Sequence, residues 1–186
     1  MIRKLTVLWL LACAPAAQSA EILSIQVDSD EGVYTMTSEV WFEVPVAQIY
    51  KVYRYWDYAP DFSSAIVEAR DMEPDGSGRP QFYIRNKGCV LFFCKSFERQ
   101  GYIESLPMSE VRAFANPDTS DFIFSNESWR FLPRDGGTIV TYDLVMKPKF
   151  WVPPGIGPYL IKRKLKNNGG DAVNRIEKIA QGLAGE

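Results

Sequence analysis

The stretch from Ser125 to Lys166 reads as a β-hairpin followed by a helix, and the rest of the chain has to fit that pair. Trp129-Arg130-Phe131 and Ile139 to Met146 alternate apolar with polar residues, and Arg134-Asp135-Gly136-Gly137 lies between them. Alternation with period two puts every second side chain on one face of a strand. Asp-Gly supplies the positive φ angles that a tight hairpin turn demands. A turn centred on Asp135 and Gly136 sets Trp129 opposite Tyr142 and Phe131 opposite Val140, which makes one face apolar. A loop rich in proline and glycine follows, Lys147 to Pro158. The helical stretch beyond it carries Ile161, Leu165, Ala172, Ile176, Ile179 and Leu183 along one stripe. A sheet with one apolar face and a helix with one apolar stripe can bury each other. Gly169-Gly170 lies inside that helix, where each glycine costs about 1 kcal/mol against alanine, so a kink or break is expected there.

The same patterns continue upstream. Ile22 to Val27 and Val33 to Val44 read as strands around the turn Asp28 to Gly32, and Pro45 suits the start of a short helix ending near Tyr55. Further strands are expected at Ile66 to Met72, Gln81 to Cys89, Cys94 to Glu104, Val111 to Ala115 and Phe122 to Ser125. The tally is about seven strands with a helix near each end, an α+β order with an antiparallel sheet. A chain of 186 residues, 46% of them hydrophobic, is long enough for one well-buried domain.

Trp-x-Phe at 129–131, Gly-Gly-Thr at 136–138, Val-Thr-Tyr at 140–142, the proline-rich loop and the terminal amphipathic helix resemble the close of the START-like (SRPBCC) superfamily, in its polyketide-cyclase and coenzyme Q-binding branch. The resemblance runs from about Thr35 to the C-terminus. It implies a helix-grip fold, in which a curved antiparallel sheet wraps a long C-terminal helix and the space between them holds an apolar ligand. Trp56-Asp-Tyr-Ala-Pro-Asp-Phe62 stands where such proteins have a turn covering one end of the pocket. A glycine is common in the family where this chain has Glu127, which implies a smaller or more polar cavity. The function implied is binding of a lipid, isoprenoid or quinone, with no cofactor. Other members are cyclases, aromatases or hydrolases using the same cavity, and an interaction role at a membrane surface is a further alternative.

If Val90 to Phe93 form a turn, Cys89 and Cys94 face each other and a disulfide is expected in an oxidising compartment. That register pairs Arg85 with Glu98 on the outer face. The inner face carries Phe82, Ile84, Phe97 and Arg99, and a guanidinium among apolar groups needs a partner. Glu127, on the Trp129 face of its strand, is one candidate and a ligand headgroup is another; a position near the sheet edge, with the charge in solvent, is the third. Trp129 and Tyr142 complete the inner set, with the polar groups Arg99, Glu127 and Tyr142 placed to orient a ligand. Trp56, Phe62, Trp151 and Tyr159 fall where a pocket mouth is expected. Phe150-Trp151 in a proline-rich loop is expected to be a lid, a membrane-touching tip or a segment folded onto the core, and Lys162, Arg163, Lys164 and Lys166 could add attraction to anionic lipid.

The chain has no histidine, which excludes Ser-His and Cys-His nucleophilic systems and histidine-based zinc sites. Two facing cysteines alone do not complete a zinc shell, so no metal is expected. The net charge of -2 offers no basic field for nucleic acid. Residues 1–20 combine Arg3 and Lys4, an apolar run from Leu5 to Ala12 and a small-residue tail, Ala14-Pro-Ala-Ala-Gln-Ser-Ala20, the organisation of a secretory signal peptide. Its apolar run is well short of the roughly 20 residues that span a bilayer. Cleavage is expected after Ser19 or Ala20, and residues 21–186 then form a single exported, periplasmic domain. Leu10-Leu11-Ala12-Cys13 also resembles a lipoprotein box, which gives the alternative of a chain anchored at Cys13.

Overall fold

The computed structural model describes residues 20–90, 93–152 and 156–183. Among these residues eight strands form one antiparallel sheet: β1 (Glu21–Asp30), β2 (Val33–Phe42), β3 (Ile66–Met72), β4 (Gln81–Val90), β5 (Phe93–Leu106), β6 (Glu110–Ala115), β7 (Phe122–Arg134) and β8 (Gly137–Pro148). Their spatial order is β1-β2-β8-β7-β6-β5-β4-β3. Helices α1 (Val46–Arg54) and α2 (Ala59–Phe62) lie between β2 and β3, joined by a 3-10 turn at Trp56–Tyr58, and α3 (Ile156–Gly182) closes the fold. This is an α+β helix-grip architecture, with eight strands where about seven were expected. The apolar runs at Phe122 and Trp129 belong to one strand, because the polar Asn126-Glu127-Ser128 between them stays in the ladder with β6 and β8.

The β7–β8 hairpin has the expected register. Asp135 and Gly136 both adopt positive φ, 48° and 78°, as the mirror-image turn requires. Trp129 pairs with Tyr142 and Phe131 with Val140. The Trp129 and Tyr142 rings stack with centroids 5.3 Å apart. Thr138, fully buried, donates its hydroxyl to the Val44 carbonyl at 2.7 Å, tying the start of β8 to the corner where β2 gives way to α1. Gly101 lets β5 lie against β6, since a Cβ there would fall 1.9 Å from the Phe114 carbonyl oxygen.

α3 runs through Gly169-Gly170 without the expected break. The cost of two glycines is outweighed by packing, because helical stability in proteins comes mainly from burying an apolar face. Val173, Ile176 and Ala180 are buried in the core, with Ala172, Ile179 and Leu183 packed against it. Four members of the stripe read from the sequence, Ala172, Ile176, Ile179 and Leu183, therefore lie in or against the core, while the Leu165 side chain lies outside the described residues. On the facing side α1 contributes Ile49 and Val52, and the sheet contributes Val40, Ile84, Ala113 and Phe131.

Candidate functional site

Between the concave face of the sheet, the α1–α2 segment and α3 lies a cavity of about 250 Å³. The 3-10 turn that forms one wall is pinned by Asp71 on β3, which accepts from the Trp56 amide at 3.0 Å and pairs with Arg54 at 3.4 Å. Burial pushes the Asp71 carboxyl above the usual carboxylate range. Trp56 is thereby held with its indole stacked on Phe82, centroids 4.2 Å apart, and its other side towards the cavity. Tyr55, half exposed, marks where the wall meets solvent.

The polar end of the cavity is built from three strands. Arg99 on β5 forms an ion pair with Glu127 on β7, reaching across β6. Residues on the intervening strand are small where the pair crosses, with Ala113 opposite Glu127 and Ala115 opposite Gly101. The Tyr142 hydroxyl donates to the second Glu127 oxygen at 3.2 Å, and Arg99 Nη1 also donates to Ser125 Oγ at 3.2 Å. Burial lowers the Arg99 pKa and raises that of Tyr142, yet a guanidinium starts so high that it stays charged. Glu127 is 7% exposed. A carboxylate so buried requires this partner. Of the three settings open for Arg99 in the sequence, the internal pair is the one found.

Seven of the expected site residues line the cavity: Trp56, Phe62, Ile84, Arg99, Glu127, Trp129 and Tyr142. The other four do not. Phe82 sits behind Trp56, in the core rather than on the cavity surface. Phe97 turns into an aromatic cluster with Phe122 and Phe150, at 5.7 and 6.1 Å between centroids. It lies on the inward face, as strand alternation places it, but Phe150 folds back onto that end of the sheet and occupies it, with Lys95 Nζ 4.4 Å from the Phe150 ring. Trp151 is 78% exposed and Tyr159 62% exposed, so neither covers the cavity.

Sequence reading missed Ser38, Asn86, Tyr53 and the α3 residues Ala172 and Val173 on the cavity wall. Ser38 and Asn86 were findable, since each lies two residues from an inward apolar neighbour, Met36 and Ile84, and so shares its face. Elsewhere, Arg85 stands opposite Glu98 in the ladder, as expected, but forms its ion pair with Glu68 at 2.9 Å. Lys162 pairs with Asp28 on β1 at 3.4 Å, which ties that basic side chain to the protein's own sheet. Cys89 stands opposite Cys94 in the register; the Cys89 side chain, and the leader with Cys13, lie outside the described residues. Among the described residues no cluster could hold a metal ion, and no helix is long and apolar enough to cross a membrane.

Comparison with solved structures gives this architecture a name. A START superfamily protein from Mycobacterium smegmatis superposes with a TM-score of 0.61 over 78% of this chain and 98% of that one, at 15% identity. The fold is START-like. The STAR-related lipid transfer protein from Xanthomonas axonopodis shares the START-like fold with a TM-score of 0.61 at 14% identity, covering 84% of this chain and 98% of that one. The Zhui aromatase/cyclase from Streptomyces does so at 0.57 and 12% identity, over 80% and 94% of the two chains. No protein-family model and no curated protein matches the sequence. Likeness at this level of identity carries the START-like fold and leaves chemistry to be argued from the site.

Proposed function

We propose that this is an exported, non-enzymatic binding protein that holds a hydrophobic small molecule, a lipid, isoprenoid or quinone, between the sheet and α3. The observation that carries this reading is the cavity lining. Aromatic and aliphatic side chains make up most of it, and three of its residues bear a buried polar atom without a protein partner: Trp56 Nε1, Asn86 Oδ1 and Arg99 Nε. Unpaired buried polar groups cost about 1–3 kcal/mol each; these atoms expose less than 1 Å², so a hydroxyl or carbonyl on an otherwise apolar ligand relieves that cost once the side chains turn towards it. The volume is slightly below the range of roughly 300–1,000 Å³ usual for drug-sized ligands, which favours a compact ligand or an outward shift of α3 on binding. Affinity then draws on apolar burial, at roughly 25 cal/mol per Å² before ordering costs.

A cyclase, aromatase or hydrolase would need a free acid or base at the reacting atoms. Glu127 is instead committed to Arg99 and Tyr142, which supports binding over catalysis. The leader and a Cys89–Cys94 bridge belong to the same proposal, since export supplies the oxidising compartment that the bridge needs. The exposed Trp151 beside Phe150 gives a point for peripheral membrane contact during loading.

Native mass spectrometry of the protein purified without detergent from the exporting compartment, with solvent extraction, tests the reading. A single apolar mass bound one to one is expected. Ala172→Phe, placed on α3 at the cavity wall, should abolish that mass without unfolding the protein. An empty protein that also takes up no member of a panel of lipids and quinones would sink the proposal, as would undiminished binding by a folded Ala172→Phe.

A further inference from the structure

Glu177 on α3 is only 5% exposed. Unlike Glu127, it has no cation within ion-pair distance among the described residues. Its two oxygens accept from main-chain nitrogens, Oε2 from Ala20 N at 2.7 Å and Oε1 from Glu43 N at 3.0 Å. Ala20 packs against the core just ahead of β1, and Glu43 follows the last residue of β2. One carboxylate thus gathers the beginning of the sheet, the end of β2 and the C-terminal helix. A buried carboxylate without a counter-charge is costly even when hydrogen-bonded, and the 2.7 Å separation falls in the range of an ammonium–carboxylate bond.

The sequence before Ala20 supplies a second, independent observation. Ala17-Gln18-Ser19 places small side chains at the first and third positions upstream of the Ser19–Ala20 bond, the pattern a leader peptidase reads. Cleavage one residue later would put Gln18 at the third position and remove the nitrogen that Glu177 holds.

We propose that the mature protein begins at Ala20 and that its α-ammonium is the counter-charge of Glu177. Water hydrolyses the Ser19–Ala20 amide, leaving a carboxylate on Ser19 and a protonated amine on Ala20. A neutral amide donor becomes a cation at the same place, so removing the leader completes a buried ion pair between the chain terminus and α3. The proposal rests on the export reading above and fixes which of two bonds is cut.

Its first test is the intact mass of the full chain after export in its own compartment. A product beginning at Ala20 is expected. A product cut elsewhere, or lipidated at Cys13, would overturn the Glu177 pairing while leaving export intact; an uncut chain would overturn both. The second test compares mature protein beginning at Ala20 with protein retaining Ser19, each with Glu177 and with Glu177→Gln. Retaining Ser19 should lower the folding equilibrium constant about tenfold when Glu177 is present and by less than about twofold in Glu177→Gln. Equal effects in the two backgrounds would overturn the pairing. If Glu177→Gln does not fold, the Ala20 amine decides alone: its NMR titration should lie above the ordinary value of about 7.7–8.0, and an ordinary value would refute the pair.

Discussion

Glu127 and Glu177, the two buried carboxylates among the described residues, are satisfied in opposite ways. Glu127 lies on the concave face of the sheet and takes its partners from side chains, Arg99 and Tyr142. Glu177 lies on the helix and takes its partners from the main chain at Ala20 and Glu43. The first arrangement is written in residue identity, so one substitution can dismantle it. The second is written in the path of the chain, since both donors are main-chain nitrogens rather than side chains. The first site also faces the cavity and the second does not. Charge in the cavity is built in, whereas a counter-charge at the seam between sheet and helix would come from the processing proposed above.

The largest expected effect dismantles the side-chain site. Arg99→Leu leaves Glu127 buried and unpaired, and should cost about 3–5 kcal/mol, a fall in Tm of roughly 6–20 °C for a domain of this size. The double variant Arg99→Leu/Glu127→Leu should recover most of that loss, because removing both charges also removes their desolvation cost. Thermal melts of the two proteins check this. A single variant costing under about 1 kcal/mol would mean that Glu127 is hydrated, and the contrast with Glu177 would collapse.

How visible each site is from sequence follows from the same contrast. Strand alternation places Arg99 and Glu127 on the inner face, and the Asp135-Gly136 turn fixes the register of Trp129 and Tyr142, so the side-chain site is legible once the sheet is drawn. Whether Arg99 reaches Glu127 or solvent is not, because that depends on β6 lying between them and on its small Ala113 and Ala115. The α3 stripe is legible from its spacing, yet Glu177 was not singled out: a glutamate in a helix looks like any surface residue until the chain termini are placed against it. Phe97 shows the limit of alternation. Its face was correct, but only the path of the loop after β8 decides that Phe150 covers it. Gly169-Gly170 shows the limit of local propensity, since burial of Val173, Ile176 and Ala180 holds a helix that isolated energetics would weaken.

A smaller effect sharpens the side-chain site. Tyr142→Phe removes one donor to Glu127 and should cost about 0.5–1.5 kcal/mol near neutral pH, with the Arg99 pair intact. It should also change the alkaline limb of stability. Burial raises the pKa of Tyr142, and of Tyr53, above the ordinary tyrosine value, so the folded protein keeps protons that the unfolded chain releases above about pH 10. Their contribution is therefore whole below about pH 10 and is lost as pH rises beyond it. Urea unfolding between pH 9 and 11 should show stability falling with pH, and falling less steeply in Tyr142→Phe. An unchanged slope would mean that the Tyr142 phenol is not sheltered.

Ser125→Ala should have the smallest effect, about 0.5–1 kcal/mol, since Arg99 loses one neutral acceptor and keeps Glu127. Its value lies in coupling. Ser125 contacts Arg99 and Tyr142 contacts Glu127, so the two substitutions act on opposite members of one ion pair. Residues of one network couple by about 0.5 kcal/mol or more, whereas distant sites with no shared partner add within about 0.3–0.5 kcal/mol. Ser125→Ala combined with Tyr142→Phe should therefore be non-additive, and Ser125→Ala combined with Glu177→Gln should be additive, both read from urea unfolding. Coupling in the second pair would mean that helix and sheet communicate through the core. The two carboxylates would then belong to one electrostatic unit, and a ligand entering beside Arg99 would be felt at Ala20.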